Sequence, residues 1–267
     1  MVNENSLLPP KGCLLCLDIG NTTISIALSC GGIIQKVWRI MTVPHRAQDE
    51  YSLILRLLVE TAKLQSPDSA VVSSVVPQLT ERLLGAVKET FGVEPLNVTR
   101  DLKTGLTYEV QNPHETGVDR IVNAAAANRL YDGALIVIDL GTATTFCALS
   151  EHGAYLGGPI MPGPQMLAAF MAEKTAKLPL VSLRHTDKII GSSTEENILA
   201  GLVFGQAGAV ERIVYEMKAR LNCPVTTVVT GGWAHLMAKP LVSCVDIVNP
   251  TLTFEGLGLI YALNTQG

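Results

Sequence analysis

The chain has 267 residues, of which 48% are hydrophobic and 16% are charged, and its formal net charge is −4. This size and composition allow one large hydrophobic core or two modest ones. The acidic balance and the lack of a dense basic cluster argue against binding of nucleic acid or of an anionic membrane, so we expect neither as a partner.

The predicted secondary structure gives the same succession of elements twice. In the first half, hydrophobic periodicity predicts three strands, a helix, a strand, a helix and a strand. These elements cover residues 13–18, 22–29, 33–42, 49–65, 69–76, 77–92 and 93–99. A helix over 118–130 leads into the second copy. Three strands near 134–140, 143–150 and 153–160 are followed by helices near 164–176 and 194–221. A strand near 226–230 and two last helices, which begin near 233 and 253, complete it.

This order predicts an α/β fold with a mixed sheet and helices on both faces in each half. We place the domains at residues 1–116 and 117–267, with a boundary near 117–133. A second possibility is that the last helix crosses back to the first domain.

Two stretches of the chain are variants of one sequence motif, LCLDIGNTTISIAL at residues 15–28 and IVIDLGTATTFCAL at 136–149. Each is an apolar run that ends in Asp-x-Gly with threonine close behind, and a second apolar run follows. A strand, a tight turn and a returning strand would place a carboxylate, a glycine and hydroxyls at each turn. Backbone N–H groups and hydroxyls at such turns can hold phosphate oxygens. Two of these turns facing each other would form a nucleotide site.

The cysteines and the start of the chain carry less information. Cys13 and Cys16 form a C-x-x-C inside a predicted strand, where residues three apart point to opposite faces. Since no second pair has zinc spacing, we expect all six cysteines to be buried apolar residues. The first residues lack a signal-peptide pattern, and no run approaches the roughly 18 apolar residues of a spanning helix. We therefore expect a cytoplasmic protein.

The duplicated pattern resembles the ribonuclease-H-like fold of the sugar kinase, actin and heat-shock chaperone ATPases. This resemblance implies two tandem ribonuclease-H-like domains with an ATP cleft between them. The resemblance also implies that the two Asp-x-Gly turns bind phosphate and that Thr230-Gly231-Gly232 lies along the adenosine. One Asp-x-Gly is an ordinary hairpin sequence. Two in matching contexts, with a strand–TGG–helix after them, are far more specific.

A wider set of motifs resembles type III pantothenate kinase along nearly the whole chain. The matching segments are DIGNT (18–22), WRIMT (38–42), SSVVP (73–77), NPHETGVDR (112–120), DLGTATT (139–145), GGPIMPG (157–163), TAKLPLV (175–181), GSSTEENILAGLVFG (191–205) and TGG (230–232). The resemblance implies transfer of the ATP γ-phosphate to the terminal hydroxyl of pantothenate, the first step of coenzyme A biosynthesis. It also implies a homodimer with a composite active site, and a monovalent cation (potassium or ammonium) beside Mg-ATP.

The resemblance assigns roles to individual residues. The ATP and phosphate-binding residues are Asp18, Ile19, Gly20, Asn21, Thr22, Thr23, Ile24, Ser25, Thr142, Gly231 and Gly232. Pantothenate is bound by Gly117, Val118, Asp119 and Arg120, with Thr194 supplied across the dimer. Asp119 is the proton acceptor, Asp139 holds the monovalent cation, and Asp18 handles magnesium directly or through water. The chemistry agrees, because a primary alcohol needs a base and phosphoryl transfer needs charge neutralisation.

Simpler interpretations of the same residues remain open at this stage. Asp119-Arg120 is also a plausible charged helix start, and Thr194 an ordinary helix N-cap. Many family members have a tyrosine where this chain has Val110, with Tyr108 two residues earlier as a possible substitute. No P-loop motif occurs, which excludes a P-loop kinase. The alternatives to a pantothenate kinase are a non-catalytic relative acting as a transcriptional activator and another small-molecule kinase of the superfamily.

Overall fold

The structure is a computed structural model that describes residues 11–265. Its strands are β1 (Cys13–Ile19), β2 (Thr23–Cys30), β3 (Ile33–Met41), β4 (Ser69–Ser74), β5 (Leu96–Asn97), β6 (Thr107–Tyr108), β7 (Ala134–Leu140), β8 (Ala143–Leu149), β9 (Ala154–Gly157), β10 (Ile160–Pro162), β11 (Val225–Thr230) and β12 (Ile247–Val248). Its helices are α1 (Gln48–Thr61), α2 (Pro77–Phe91), α3 (Val118–Leu130), α4 (Pro164–Lys174), α5 (Thr194–Leu221), α6 (Ala234–Met237) and α7 (Leu252–Thr265). Residues 1–10, which contribute to the signal-peptide expectation, lie outside the described range.

The chain forms two compact units, and neither is continuous in sequence. Of the described residues, the first unit contains 11–106, Asn112–Leu130 and 251–265, and the second contains Thr107–Gln111 and Tyr131–Pro250. The predicted boundary after residue 116 therefore differs from this division, because α3 and α7 belong to the first unit.

Close helix packing explains where α3 and α7 lie. A Cβ atom at Gly256 of α7 would collide with the carbonyl oxygen of Val122 in α3. The glycine thus lets the two helix backbones meet, and Val122 of α3 shares a core cluster with Phe254, Leu257 and Ile260 of α7. The possibility that the last helix crosses back is the arrangement found.

Each unit is built on the predicted mixed sheet. The strand order is β3-β2-β1-β4-β5 in the first unit and β12-β11-β7-β8-β9-β6 in the second, where β10 also pairs with β8. In both units the central strand pairs antiparallel with the next strand and parallel with the first strand after a helix, as β1 does with β2 and β4. The sheet order of the first unit recurs in the second as β9-β8-β7-β11-β12. The fold class, two tandem ribonuclease-H-like domains, is confirmed.

Both faces of the central strand β1 are buried, as its continuous apolar sequence indicates. Leu15 and Leu17 pack in a core that includes residues of α1 and α2. Leu14 and Cys16, on the opposite face, pack in a core that includes residues of α3 and α7. The sheet therefore holds the carboxyl end of β1, where Asp18 lies, between two helical layers.

Helix α5 is long enough to cross a membrane, and it contains an 18-residue window that is apolar enough to do so. From the sequence we expected no segment able to span a membrane, so this helix was not anticipated. However, half of that window is buried, and Leu199, Leu202 and Val203 pack in the core of the second unit. A core helix passes the same test of length and composition, so this property is weak evidence for a membrane span.

The prediction that all six cysteines are buried apolar residues is confirmed only for Cys16 and Cys147. Cys13 and Cys30 are directly opposite each other in the β1–β2 register and form a disulfide bond. Cys16 and Cys147 are buried free thiols, while Cys223 and Cys244 are half-buried. Cys13 and Cys16 do face opposite sides of β1, as the strand geometry predicts.

Candidate active site

The first Asp-x-Gly turn joins β1 to β2 in the first unit. The N–H of Gly20 donates to the carbonyl of Thr23 at 3.0 Å, which closes the turn. Thr42, the last residue of the WRIMT motif, supports it twice. Its hydroxyl donates to the carbonyl of Gly20 at 2.7 Å, and its N–H donates to that of Thr22 at 3.0 Å. Asn21 and Thr22 are exposed at the tip, so their polar groups are accessible to a ligand.

The other predicted phosphate-loop residues differ in what they can offer. Ile19 and Ile24 are fully buried, so their side chains belong to the core and only their backbone groups can serve a ligand. Ser25 is half-buried and lies opposite Asp18 in the β1–β2 register. The resemblance alone did not separate these backbone positions from the side-chain positions.

Asp18 is held in an electrostatically unusual environment. The hydroxyl of Ser73 on β4 donates to Asp18 Oδ1 at 2.6 Å. Burial raises the pKa of Asp18 from 3.8 to about 6, against the lowering effect of the Ser73 hydrogen bond, and the charge of Asp119 raises it further. The first unit therefore brings Asp18 and Asp119 close enough for their charges to interact.

Asp119 lies in the first turn of α3, two residues after Gly117 of the predicted substrate loop. A Cβ atom at Gly117 would be 2.5 Å from Asp119 Oδ1, so glycine at 117 makes room for the carboxylate. The loop before the helix is held by Arg100, whose Nε donates to the carbonyl of Thr116 at 3.0 Å. Val118 and Arg120 of the predicted pantothenate loop are half-buried beside it.

The pKa of Asp119 helps to decide between a helix-start acid and a functional carboxylate. Burial raises this pKa above its ordinary value, although hydrogen bonds from the backbone N–H groups of Arg120 and of Asp119 itself, and the charge of Arg120, lower it. A simple helix-start acid is stabilised in its ionised form, which lowers the pKa. Here desolvation outweighs the helix terminus. Such perturbed carboxylates are enriched at functional sites.

The second unit repeats the turn between β7 and β8. The N–H of Gly141 donates to the carbonyl of Ala143 at 3.1 Å, the counterpart of the bond that closes the first turn. The N–H of Gly163 donates to the carbonyl of Thr142 at 3.0 Å, and a Cβ at 163 would collide with that carbonyl. The last glycine of the GGPIMPG motif therefore packs against the second turn. This structural need accounts for the last glycine of the motif.

Asp139 and the TGG loop meet in the same unit. Thr230 lies opposite Asp139 in the parallel pairing of β11 with β7. The backbone of Gly231 has a positive φ of 97°, and a Cβ there would collide with Asp139 Oδ1. The N–H of Trp233 donates to the carbonyl of Leu140 at 3.0 Å. The second unit thus brings the loops that carry Asp139, Thr142 and Gly231 together. Gly232 is the residue after Gly231 in the same loop.

Thr194 is the first residue of α5, but it is not the residue that caps the helix. Ser193 is the N-cap, and its hydroxyl accepts from the N–H of Glu196 at 3.2 Å. Glu196 in turn is bonded by Lys188 Nζ at 2.6 Å. The N-cap interpretation of Thr194 is therefore wrong by one residue, and the exposed Thr194 side chain needs another explanation.

Tyr108, the possible substitute for the family tyrosine, packs within the second unit. Its ring lies 6.0 Å from that of the buried Tyr155, at an interplanar angle of 56°. Val110 lies past the end of β6, and its Cγ1 would be 3.4 Å from a Cβ at Gly157. Packing on Tyr155 accounts for Tyr108 without a ligand.

A magnesium or monovalent cation at these turns would have to be held by few protein groups. Among residues 11–265, no cluster of three or more His, Cys, Asp or Glu could hold a metal ion. Mg²⁺ commonly binds through one or two carboxylates and the phosphates of its substrate, so a single carboxylate such as Asp18 fits that mode. The second unit also has a cavity of about 1020 Å³, lined by residues that include Glu109, Arg212 and Cys223. None of the predicted site residues lines it.

The sequence matches a known family over most of its length. Residues 14–216 match the family described as type III pantothenate kinase. A type III pantothenate kinase from Moorella thermoacetica is 41% identical over 254 residues, which cover 94% of this chain and 100% of that protein. Another from Geobacillus thermodenitrificans is 39% identical over 255 residues, covering 95% of this chain and 98% of the relative.

Solved structures of lower sequence identity share the fold. A putative Baf family transcriptional activator from Campylobacter jejuni has a TM-score of 0.56 at 20% identity, covering 92% of this chain and 96% of that one. An activator of 2-hydroxyisocaproyl-CoA dehydratase from Clostridium difficile, with bound ADPNP, has a TM-score of 0.53 at 16% identity and covers 94% of each chain. These likenesses support the fold alone. The family match and the full-length relatives go further: the chain belongs to the type III pantothenate kinase family.

Proposed function

We propose that this protein transfers the γ-phosphate of ATP to the primary hydroxyl of pantothenate, giving 4'-phosphopantothenate and ADP, the first step of coenzyme A biosynthesis. The observation that carries the proposal is the match to the type III pantothenate kinase family over residues 14–216, and the first unit places the charge of Asp119 near enough to Asp18 to raise the pKa of Asp18. Both carboxylates have pKa values raised by burial, and their charges interact. Relatives named type III pantothenate kinase are about 40% identical over 94% of the chain and support the choice of substrate.

Asp119 is proposed as the general base. The pantothenate hydroxyl oxygen attacks the γ-phosphorus, its proton passes to the Asp119 carboxylate, and the bond to the ADP oxygen breaks. A carboxylate with a raised pKa is a better proton acceptor than an ordinary aspartate, and it is still ionised when the pH exceeds that pKa. Arg120, the next residue, supplies a guanidinium for the carboxylate of pantothenate, with Gly117 and Val118 along the same loop.

Asp18 is proposed to hold magnesium, directly or through water. Bound Mg²⁺ would neutralise charge on the transferred phosphoryl group. A cation suits this carboxylate. Burial and the Asp119 charge both disfavour the ionised form of Asp18, and a bound cation would favour that form. The exposed residues Asn21 and Thr22 and the backbone N–H groups of the turn would bind phosphate oxygens.

In the second unit, Thr142 is proposed as an ATP contact and Gly231-Gly232 as the adenosine loop. The close approach of Gly231 to Asp139 supports this, because a side chain at 231 would cover the carboxylate. Asp139 is proposed to hold a monovalent cation, potassium or ammonium.

The cation proposal predicts a dependence on ion type. Replacing potassium by tetramethylammonium at constant ionic strength should lower kcat by about tenfold or more, as expected when a charged contact of roughly 1.5–3 kcal/mol is lost. Asp139→Ala should be slower in potassium and indifferent to the replacement. Asp132→Ala, at an exposed aspartate of the same unit, is the matched control and should keep the wild-type ion response. Steady-state rates that do not change with the ion would reject the assignment.

A homodimer with a composite site is also proposed, with Thr194 contacting the pantothenate of the partner subunit. Large apolar side chains are exposed in the segment that precedes α5, and Ile190 is 87% exposed. The set consists of Ile160, Met166, Phe170, Leu180, Ile189 and Ile190. Large contiguous apolar patches mark interaction sites, so a second copy is a fitting occupant if these side chains share one surface. We propose a cytoplasmic enzyme with no nucleic-acid or membrane partner.

The test of the function is an ATP-consumption assay over a panel of acceptors. Purified protein with Mg²⁺ and potassium should consume ATP with pantothenate, and mass spectrometry should find the phosphorylated product. It should be inactive with hexoses and acetate. Activity on a hexose or acetate in place of pantothenate would favour another kinase of the superfamily. Inactivity with every acceptor would favour the non-catalytic relative.

A further inference from the structure

The strand pairing of the first unit joins Ser73 to the carboxylate of Asp18. β1 and β4 run parallel, and Asp18 and Ser73 are direct partners in that register. The side chain of Ser73 is 1% exposed, and its hydroxyl donates to Asp18 Oδ1 at 2.6 Å. A distance of about 2.5–2.7 Å is typical of a hydroxyl bonded to an ionised carboxylate, which is among the stronger hydrogen bonds in proteins.

The Ser73 bond fixes one oxygen of the Asp18 carboxylate. A donor on one carboxylate oxygen restricts rotation of the carboxylate plane, which is otherwise broad. The neighbouring serines of β4 bond elsewhere, since Ser69 donates to the carbonyl of Cys13 and Ser74 to that of Val76.

We propose that Ser73 is a positioning residue, which orients the Asp18 carboxylate so that it can receive the magnesium of Mg-ATP. The proposal rests on the proposed function and adds a residue of the SSVVP motif to the machinery. Ser73 acts through Asp18 and needs no contact with the substrate.

The experiment compares nucleotide binding with and without magnesium. Isothermal titration calorimetry with a non-hydrolysable ATP analogue gives two dissociation constants for each variant, one in Mg²⁺ and one in EDTA. Ser73→Ala should weaken binding in Mg²⁺ by roughly 10- to 100-fold, the range for a lost hydrogen bond to a charged group, and leave binding in EDTA unchanged. Ser73→Thr, which keeps a hydroxyl, should recover most of the magnesium-dependent affinity.

Ser29→Ala is the matched control. Ser29 is nearly as buried as Ser73 and lies on β2 of the same sheet, on the other side of β1. Its hydroxyl has no hydrogen-bond partner among the described residues. It should bind nucleotide as the wild type does in both conditions. If Ser73→Ala does not fold, Ser73→Cys replaces it, because a thiol has nearly the same size but is a weak donor.

The outcomes separate this inference from the proposed function. Equal magnesium-dependent affinity in the wild type and in the Ser73 variant without a hydroxyl would overturn the role of Ser73. A defect of the same size in EDTA would also overturn it, since it would mean a general structural change. A wild-type protein that binds no nucleotide even with Mg²⁺ would contradict the proposed function itself.

Discussion

Asp119→Asn should lower kcat by roughly 10²–10⁴-fold, the usual contribution of a positioned general base. Asparagine has the shape of aspartate but cannot accept the proton of the pantothenate hydroxyl. The fold and nucleotide binding should persist, because the change removes a charge that burial disfavours and that raises the pKa of Asp18. Steady-state kinetics with pantothenate, and calorimetry with an ATP analogue, measure the two quantities separately.

The control for this variant is Asp101→Asn, which removes an exposed carboxylate from the same unit. It should be close to wild type in kcat and in nucleotide affinity. An Asp119→Asn enzyme with nearly wild-type turnover would remove Asp119 from the mechanism and return it to the role of a helix-start acid.

Mixing two inactive variants should restore activity if the site is composite. Thr194→Arg places a long side chain at an exposed position, which should block substrate entry across the dimer, whereas Asp119→Asn removes the base. In a heterodimer of the two, one site carries both lesions and the other carries neither. At equal concentrations and full exchange about half of the dimers are heterodimers, so roughly a quarter of wild-type activity should return.

Subunit exchange must be verified independently, for example by mass spectrometry of differently tagged chains. Thr194→Ala is a useful companion variant, since loss of one hydroxyl hydrogen bond of about 1 kcal/mol should give only a modest rise in KM. Exchange without recovered activity would show that each site lies within one chain, or that Thr194 has no part in it.

Much of the fold could be predicted because the sequence repeats a pattern. Apolar runs ending in Asp-x-Gly identified the central strands of both sheets, and Pro77 and Gly92 mark the two ends of α2. The unit boundary could not be predicted, since amphipathic spacing indicates which face of α3 is apolar but not which sheet covers it. The contact of Gly256 with Val122 that decides this joins residues far apart in the chain.

The site shows the same division between local and long-range information. The residues of the turns follow from local motifs, while the Ser73–Asp18 bond depends on the parallel register of two strands separated by a helix. The Cys13–Cys30 disulfide could in principle have been predicted from the sequence. Counting outward from the turn at Gly20 pairs Asp18 with Ser25 and, at the far end of the hairpin, Cys13 with Cys30.

The buried carboxylate at the end of β1 also links folding to ligand supply. Its pKa of about 6 in the folded chain exceeds the ordinary 3.8, so between these pH values the folded state binds more protons than the unfolded state. The free energy of unfolding therefore falls as the pH rises through this interval and stays lower above it. A bound cation favours the ionised form and offsets that loss, and any ligand that binds only the folded state stabilises it further. If Asp18 holds the magnesium of Mg-ATP as proposed, resistance to unfolding and proteolysis would rise with the supply of Mg-ATP.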